Sequence, residues 1–561
     1  TIVFATLFSL FVSFTLTPML ASRLFRLGLK IPDKPIWHKM DVIEESARNH
    51  YTSILTWSLD HAKKLVIPVL VLFIAAAALI PTGLVGSEFM PQTDESSFRI
   101  TVELPTNANL TRTDKVARQL EDYLKTVPEV TYYTSMIGGK SLNQANIQVT
   151  LKDRRDRSRT IWQVTNDVRR FAADHIYDGD VQVKEAQASV SGTTGGFGGG
   201  SGNLRLELRG KDREALLAQS RAIEQMMKTD IAGLRDISSS YQDGMPEYQL
   251  VVDRNKLKQY GTSLSDLNDT FSNAISGQKA GVLANDVKND NNDTDIYVRL
   301  KGADAFRLSD LETIPLNANG HIIYIADVAK VQAGTGPVTI RRTDKERSIT
   351  LGGSPQGRPL NEVIQDVTNH LNAMDLHGVT FRFTGQADQM TTTFTDLGEA
   401  LLLSLILIFM ILAILYESVK TPFIRMFSLP LGLIGSLFLL FLTNNTLNLY
   451  SLIGILVMDG LVAKNGTLLL DYTLTLMHEQ GLDPRSAVIQ AGRVRLRPIF
   501  MTTLTMVVGM LPTALSMTAG AETRASMAVV VIGGLLTSTV FTLVIIPILF
   551  VFMEKHSLFR R

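Results

Sequence analysis

The sequence predicts a membrane α-helical bundle of about seven transmembrane helices joined to an extracytoplasmic α+β domain of ferredoxin-like βαβ units with one inserted subdomain. Three observations predict it. Apolar runs are bunched at both ends of the 561 residues, a polar region of about 310 residues lies between them, and short alternating runs interleaved with helical periodicities recur inside that region. The averages conceal this layout: 45% of residues are hydrophobic and 19% charged, with 55 basic against 54 acidic side chains. That balance offers no basic excess for nucleic acid. The absence of cysteine removes disulfides, zinc ribbons, iron–sulfur clusters and thiol nucleophiles together.

The chain opens on an uncharged apolar run over residues 1–22, with neither a basic n-region before it nor a small-residue cleavage site after it. It reads as the inside of a transmembrane helix, and the chain as the C-terminal part of a longer polypeptide. At roughly 20 apolar residues per span, further helices are expected at 65–85 (within a segment 64–86), 400–416, 426–443, 449–474, 498–518 and 525–553, the last five within 396–555. The connection 23–63 contains residues 35–59, whose mixed charges and tryptophans predict an amphipathic helix at the cytoplasmic interface. A plain helical linker is the alternative.

Orientation follows from basic residues in short loops. Arg23, Arg26, Lys30 and Lys34, then Lys420 and Arg425, then Arg485, Arg493, Arg495 and Arg497, and finally Lys555, Arg560 and Arg561 mark alternate connections as cytoplasmic. The polar region is thereby placed outside.

Within it, strand-like runs are expected at 98–105, 131–137, 146–152, 181–187, 204–210, 348–354 and 379–385. Helices are expected around Val116, Leu120 and Leu124, at 161–176, at 216–227 and at 360–374. The order is that of split βαβ units, one over 87–202 and a second over 203–245 and 344–386. The intervening 246–343 holds its own strand-like runs EYQLVVD, DIYVRLK and HIIYIADVAKV.

The glycine-dense stretch 192–202 lacks the G-K-[ST] ending of a phosphate loop. It is either a flexible connector or a mobile flap with Phe197 as its apolar contact. The nine histidines show no metal-binding spacing. Ionisable residues inside apolar helices are a stronger signal, since each costs about 2.5–3.5 kcal/mol at the bilayer centre. Asp459 and Lys464 fall in mid-helix and Asp471 towards the cytoplasmic end. A separation of five residues rotates Lys464 about 140° from Asp459, and seven residues put Asp471 about 10 Å along the axis. Lys464 therefore needs a carboxylate from another helix, unless it snorkels to the interface. Arg495 and Thr502, seven apart, share a face that suits a proton or water path, while Arg493, Arg495 and Arg497 equally suit positive-inside anchors.

The strings GSEFMPQTDESSFRITVELP, LYESVKTPF, GLVAKNGTLLLDY and RVRLRPIFMTTLTMVVGMLP, in this order along the chain, resemble the C-terminal half of a resistance-nodulation-division (RND) efflux pump of the hydrophobe/amphiphile efflux branch. The resemblance implies a secondary transporter and not an enzyme: a homotrimer in the bacterial inner membrane, exporting amphiphilic compounds by proton antiport, with the proton motive force in place of a cofactor. It implies two porter subdomains, a docking subdomain at 246–343 that meets a periplasmic adaptor or outer-membrane channel, and an N-terminal half carrying paired aspartates that this chain lacks. Lys464, beside Asn465, matches the family's relay lysine, and Arg495 and Thr502 match its arginine and threonine. Asp459 departs from the family's usual apolar residue, which adds a titratable group one turn from the relay.

The substrate-binding candidates in this region are Tyr133, Met136, Ile137, Gln148 and Phe197, a set with few of the phenylalanines that drug pumps place there. Two other readings stand beside this one, a subunit of a protein-export membrane complex and a non-functional fragment.

Overall fold

The computed structural model describes residues 2–26, 35–105, 107–139, 141–186, 203–241, 244–286, 292–303, 306–336, 339–516 and 521–555. Helices α1 (Ile2–Arg26), α2 (Pro35–Asp60) and α3 (Ala62–Ala78) come first. α2 and α3 meet at a 93° bend beside His61.

The first α+β unit runs β1 (Ser97–Glu103), α4 (Leu110–Thr126), β2 (Val130–Ile137), β3 (Gln144–Leu151), α5 (Ile161–His175) and β4 (Asp180–Glu185). Its antiparallel sheet has the order β2-β3-β1-β4, the split βαβ arrangement. Every second residue of β3 is buried, so one face carries the core, centred on Phe98, Ile100, Ile147 and Leu120. Local signals set the helix starts. Asn109 caps α4, and Thr160 with Gln163 forms a capping box on α5.

The second unit begins with β5 (Leu204–Gly210), α6 (Arg213–Thr229) and β6 (Leu234–Ser239). An inserted subdomain then intervenes: β7 (Met245–Val252), α7 (Arg254–Gln259), α8 (Leu264–Ser276), β8 (Gln278–Asp286), β9 (Asn292–Val298), α9 (Leu308–Glu312), β10 (Pro315–Ala318), β11 (His321–Tyr324), α10 (Ile325–Val328) and β12 (Ala329–Gly336). The chain returns through β13 (Arg342–Thr343), β14 (Glu346–Pro355), α11 (Leu360–Ala373) and β15 (Thr380–Thr384). β14 lies between β6 and β5, and β15 lies beyond β5, so the strand order repeats that of the first unit. The run HIIYIADVAKV, expected as one strand, breaks into β11, the single turn α10 and β12. Asp327 accepts the Tyr324 backbone N–H and starts that turn.

The membrane-type helices follow: α12 (Gln386–Tyr416), α13 (Lys420–Met426), α14 (Ser428–Leu442), α15 (Leu449–Gln480), α16 (Pro484–Ala514) and α17 (Glu522–Lys555). Among the described residues five helices are long and apolar enough to cross a bilayer, or six when the bent pair at His61 is one span. The apolar part of α1 over Leu7–Arg23 is a further, shorter helix of the same character.

α16 starts well before the expected residue 498. Asp483 caps it, Pro484 occupies its first turn, and Arg485, Arg493, Arg495 and Arg497 are therefore helical residues and not loop residues. α17 packs on α14, α15 and α16.

Candidate functional site

The ionisable residues expected to form a relay lie on α15 and α16, and the structure separates them by environment. Lys464 projects from the exposed flank of α15 with no ion-pair partner among the described residues. Asn465, one residue on and so about 100° around the helix, is 1% exposed. Its amide faces Thr503 Oγ1 of α16 at 3.5 Å and Thr539 Oγ1 of α17 at 3.4 Å. The two threonine hydroxyls are 2.9 Å apart, while Asn465 Oδ1 is buried without a hydrogen-bond partner. Three helices thus meet at one small polar cluster.

The basic residues of α16 divide in two. Arg493 pairs with Glu45 at 2.5 Å, Arg497 with Glu44 at 3.0 Å and Arg485 with Asp60 at 2.6 Å, all on α2. Arg495 instead lies over the Tyr472 ring at 4.9 Å, a cation–π contact, and its buried Nε has no hydrogen-bond partner. Thr502 shares that face and donates to the Ile499 carbonyl at 2.9 Å.

Asp459 is 2% exposed. Ser404 of α12 donates to its Oδ2 at 3.3 Å, and Oδ1 is unpartnered. Asp471, which shares a face with Lys464, accepts from Tyr416 Oη at 2.5 Å. A residue expected in a cytoplasmic loop also meets α15. Arg425 is helical and 8% exposed, and its Nε donates to the Ala463 carbonyl at 2.6 Å. No spacing pattern reveals Arg425, Tyr416 or Ser404, because their partners are contributed by a helix far along the chain. Asp459, by contrast, is legible from its position within an apolar run.

The substrate-binding candidates do not form one surface. Tyr133 and Ile137 pack against the core of the first unit. Met136, 63% exposed, lies on the opposite face of β2, and Gln148, paired across from Thr134, shares that face and accepts from Arg99 at 3.2 Å. The reason is the twofold alternation of a strand, which sends residues 133 and 137 one way and 136 the other. Phe197 lies outside the described residues.

The outer segment is tied to the membrane-type helices at two places. Leu447 N–H donates to the Gly86 carbonyl and Glu88 N–H to the Leu447 carbonyl, while Thr446 donates to the Glu88 carboxylate at 2.6 Å. Burial pushes the Glu88 carboxyl up to about 7, against the opposing effect of that Thr446 hydrogen bond. At the second tie, Glu522, the first residue of α17, accepts the Asp94 N–H at 2.7 Å and pairs with Arg154. Asp94 in turn holds the fully buried Arg157 and accepts the Ile161 N–H at 3.0 Å.

Apolar helices carrying isolated ionisable groups, joined to two α+β units of the same strand order, make up a membrane-type fold with a repeated outer unit. The chain belongs to the AcrB/AcrD/AcrF family, whose model matches residues 1–554. It is 27% identical over 566 residues to the swarming motility protein SwrC of Bacillus subtilis, covering 99% of this chain and 51% of that one. Two crystal structures of a heavy metal efflux pump share its fold. Crystal form II has a TM-score of 0.77 at 22% identity, covering 94% of this chain and 53% of the pump, and form I has 0.74 at 22%, covering 90% and 51%. The chain therefore spans about half the length of these relatives.

Proposed function

We propose that this chain is half of a proton-driven exporter that moves hydrophobic or amphiphilic compounds outward by proton antiport, as a trimer in the inner membrane. The observation that carries the reading is Lys464, a cation deep in the apolar run of α15, aimed away from its own bundle beside the buried Asn465–Thr503–Thr539 cluster. An ammonium beside carboxylates contributed by another segment lowers their proton affinity. Protonation of a carboxylate then releases the lysine, a two-state element that helix movement can follow. Each proton entering down 100 mV supplies about 2.3 kcal/mol, and one unit of pH difference adds about 1.4 kcal/mol.

In this reading the α+β units and the insertion lie outside the cytoplasm, and the insertion faces an adaptor or an outer channel. The heavy-metal pumps resemble the chain in fold alone, at 22% identity. Organic cargo is the reading we favour. The test is Lys464→Ala in the full-length protein, which should abolish dye efflux while assembly, followed by crosslinking and size exclusion, is unchanged. Efflux at the parental rate would overturn the proposal.

A further inference from the structure

A cavity of 100 Å³ opens in the second α+β unit, where α6 passes the segment returning from the insertion. Three guanidinium-bearing side chains, Arg213, Arg341 and Arg347, line it. None has a carboxylate partner among the described residues. Glu207 and Asp344 pair with Arg209, Glu346 pairs with Lys211, and Asp212 accepts the Glu214 N–H, while Arg213 and its neighbour Glu214 are exposed at the mouth. Three uncompensated cations around one small cavity repel one another, and an anion placed among them removes that repulsion. Arginine is also the side chain whose planar fork matches carboxylate and phosphate oxygens.

The rest of the lining is apolar. Leu216 and Ile349, both buried, belong to the core of the unit. Leu217 and Tyr241 are partly buried against that core, and Ile340 is exposed at the rim. The volume suits a headgroup and not a whole drug-sized molecule, for which pockets of about 300–1,000 Å³ are usual. A tail leaving the cavity would meet the apolar rim.

We infer that this cavity binds the oxyanion head of an anionic amphiphile, a carboxylate or phosphate on an alkyl chain. The inference names a substrate class for the export reading, and rests on that reading only for calling the ligand cargo. Because Arg341 lies on the strand-return segment and Arg213 on α6, the bound head would join the end of the insertion to the second unit.

The experiment is calorimetric titration of the full-length protein, held in zwitterionic lipid discs, with dodecyl phosphate, dodecyltrimethylammonium and inorganic phosphate. Dodecyl phosphate should bind at least about tenfold more tightly than either of the others. Joint Arg341→Gln and Arg347→Gln substitution should weaken it by at least about tenfold. Joint Arg341→Glu and Arg347→Glu substitution should invert the preference towards the ammonium, a gain that an unfolded protein would not show. Equal binding of the two dodecyl headgroups, undiminished binding in the glutamine variant, or inorganic phosphate as tight as dodecyl phosphate would each overturn the assignment. The Lys464→Ala protein should bind dodecyl phosphate like its parent, so failure of this site and failure of the export reading are separately visible.

Discussion

Arg493, Arg495 and Arg497 show how much one helix boundary decides. Read as a loop, they are three equivalent cations. Placed on α16, Arg493 and Arg497 are four apart and share a face, which meets Glu45 and Glu44, whereas Arg495 is turned about 200° away towards Tyr472. Replacing Arg495 by Lys keeps the charge but loses the planar group that lies over the ring. Arg495→Lys should reduce efflux several-fold, a cation–π contact being worth about 0.5–2 kcal/mol, while Arg493→Lys should leave it within a factor of two or so. Dye efflux from energised cells measures both.

The distinction was within reach of the sequence once Asp483-Pro484 was read as a helix start. The seven-residue spacing from Thr502 already set Arg495 on a helical face, but the acids of α2 that pair with its neighbours are distant in sequence. Arg425 was not legible at all, because its partner is the Ala463 carbonyl 38 residues along, and no local pattern announces a backbone acceptor in another helix. Lys464 was legible because an uncompensated cation in an apolar run is conspicuous without any structure.

At the scale of elements, α14 and α17 approach so closely that a Cβ on Gly435 would lie 2.2 Å from the Gly533 carbonyl oxygen, and one on Gly533 would lie 2.4 Å from that of Gly435. Small residues at such a crossing let backbones pack where lipid supplies no hydrophobic drive. Gly533→Leu should separate the helices and destabilise the protein by about 1–3 kcal/mol or more, the range for overpacking, read as a lower unfolding midpoint in detergent.

The tie at Glu88 makes a different prediction. Its folded pKa of about 7 lies above its ordinary 4.5. The stability linked to the neutral carboxyl is therefore fully present below about pH 4.5 and is lost as pH rises through about 7. The thermal midpoint of the parent should fall between pH 5 and 8, and Glu88→Gln should flatten that slope. An equal slope in both would remove Glu88 as its cause.

The strands followed the same division between local and distant information. β1, β3 and β5 were legible because apolar and polar residues alternate along them. β6 (LRDISS) and β8 (QKAGVLAND) lack that alternation and owe their pairing to β14 and β9.

Across the whole molecule, two units of one strand order are joined by a few charged and polar groups. Arg169 of α5 reaches both Glu185 of β4 and Asp236 of β6 at 3.1 Å, and Gln356 donates to Asn166 at 3.0 Å. The first unit is in turn held to α17 through Asp94 and Glu522. Asp94→Ala would leave the fully buried Arg157 unpaired, and removal of one partner of such a pair destabilises by about 3–5 kcal/mol. Limited proteolysis should cut the first unit of that variant sooner than the second, whereas Glu522→Gln should leave both units resistant and lower efflux.

That junction also sets a lever. Thr539, which meets Asn465 and Thr503, stands 17 residues from Glu522 on one continuous helix, about 26 Å at 1.5 Å per residue. A tilt of about 5° pivoting at Thr539 would displace Glu522 by about 2 Å, enough to take its 2.7 Å hydrogen bond to Asp94 out of range. A change in the packing of three small polar side chains in mid-helix would thereby be magnified at the base of the first unit, with α17 as the arm.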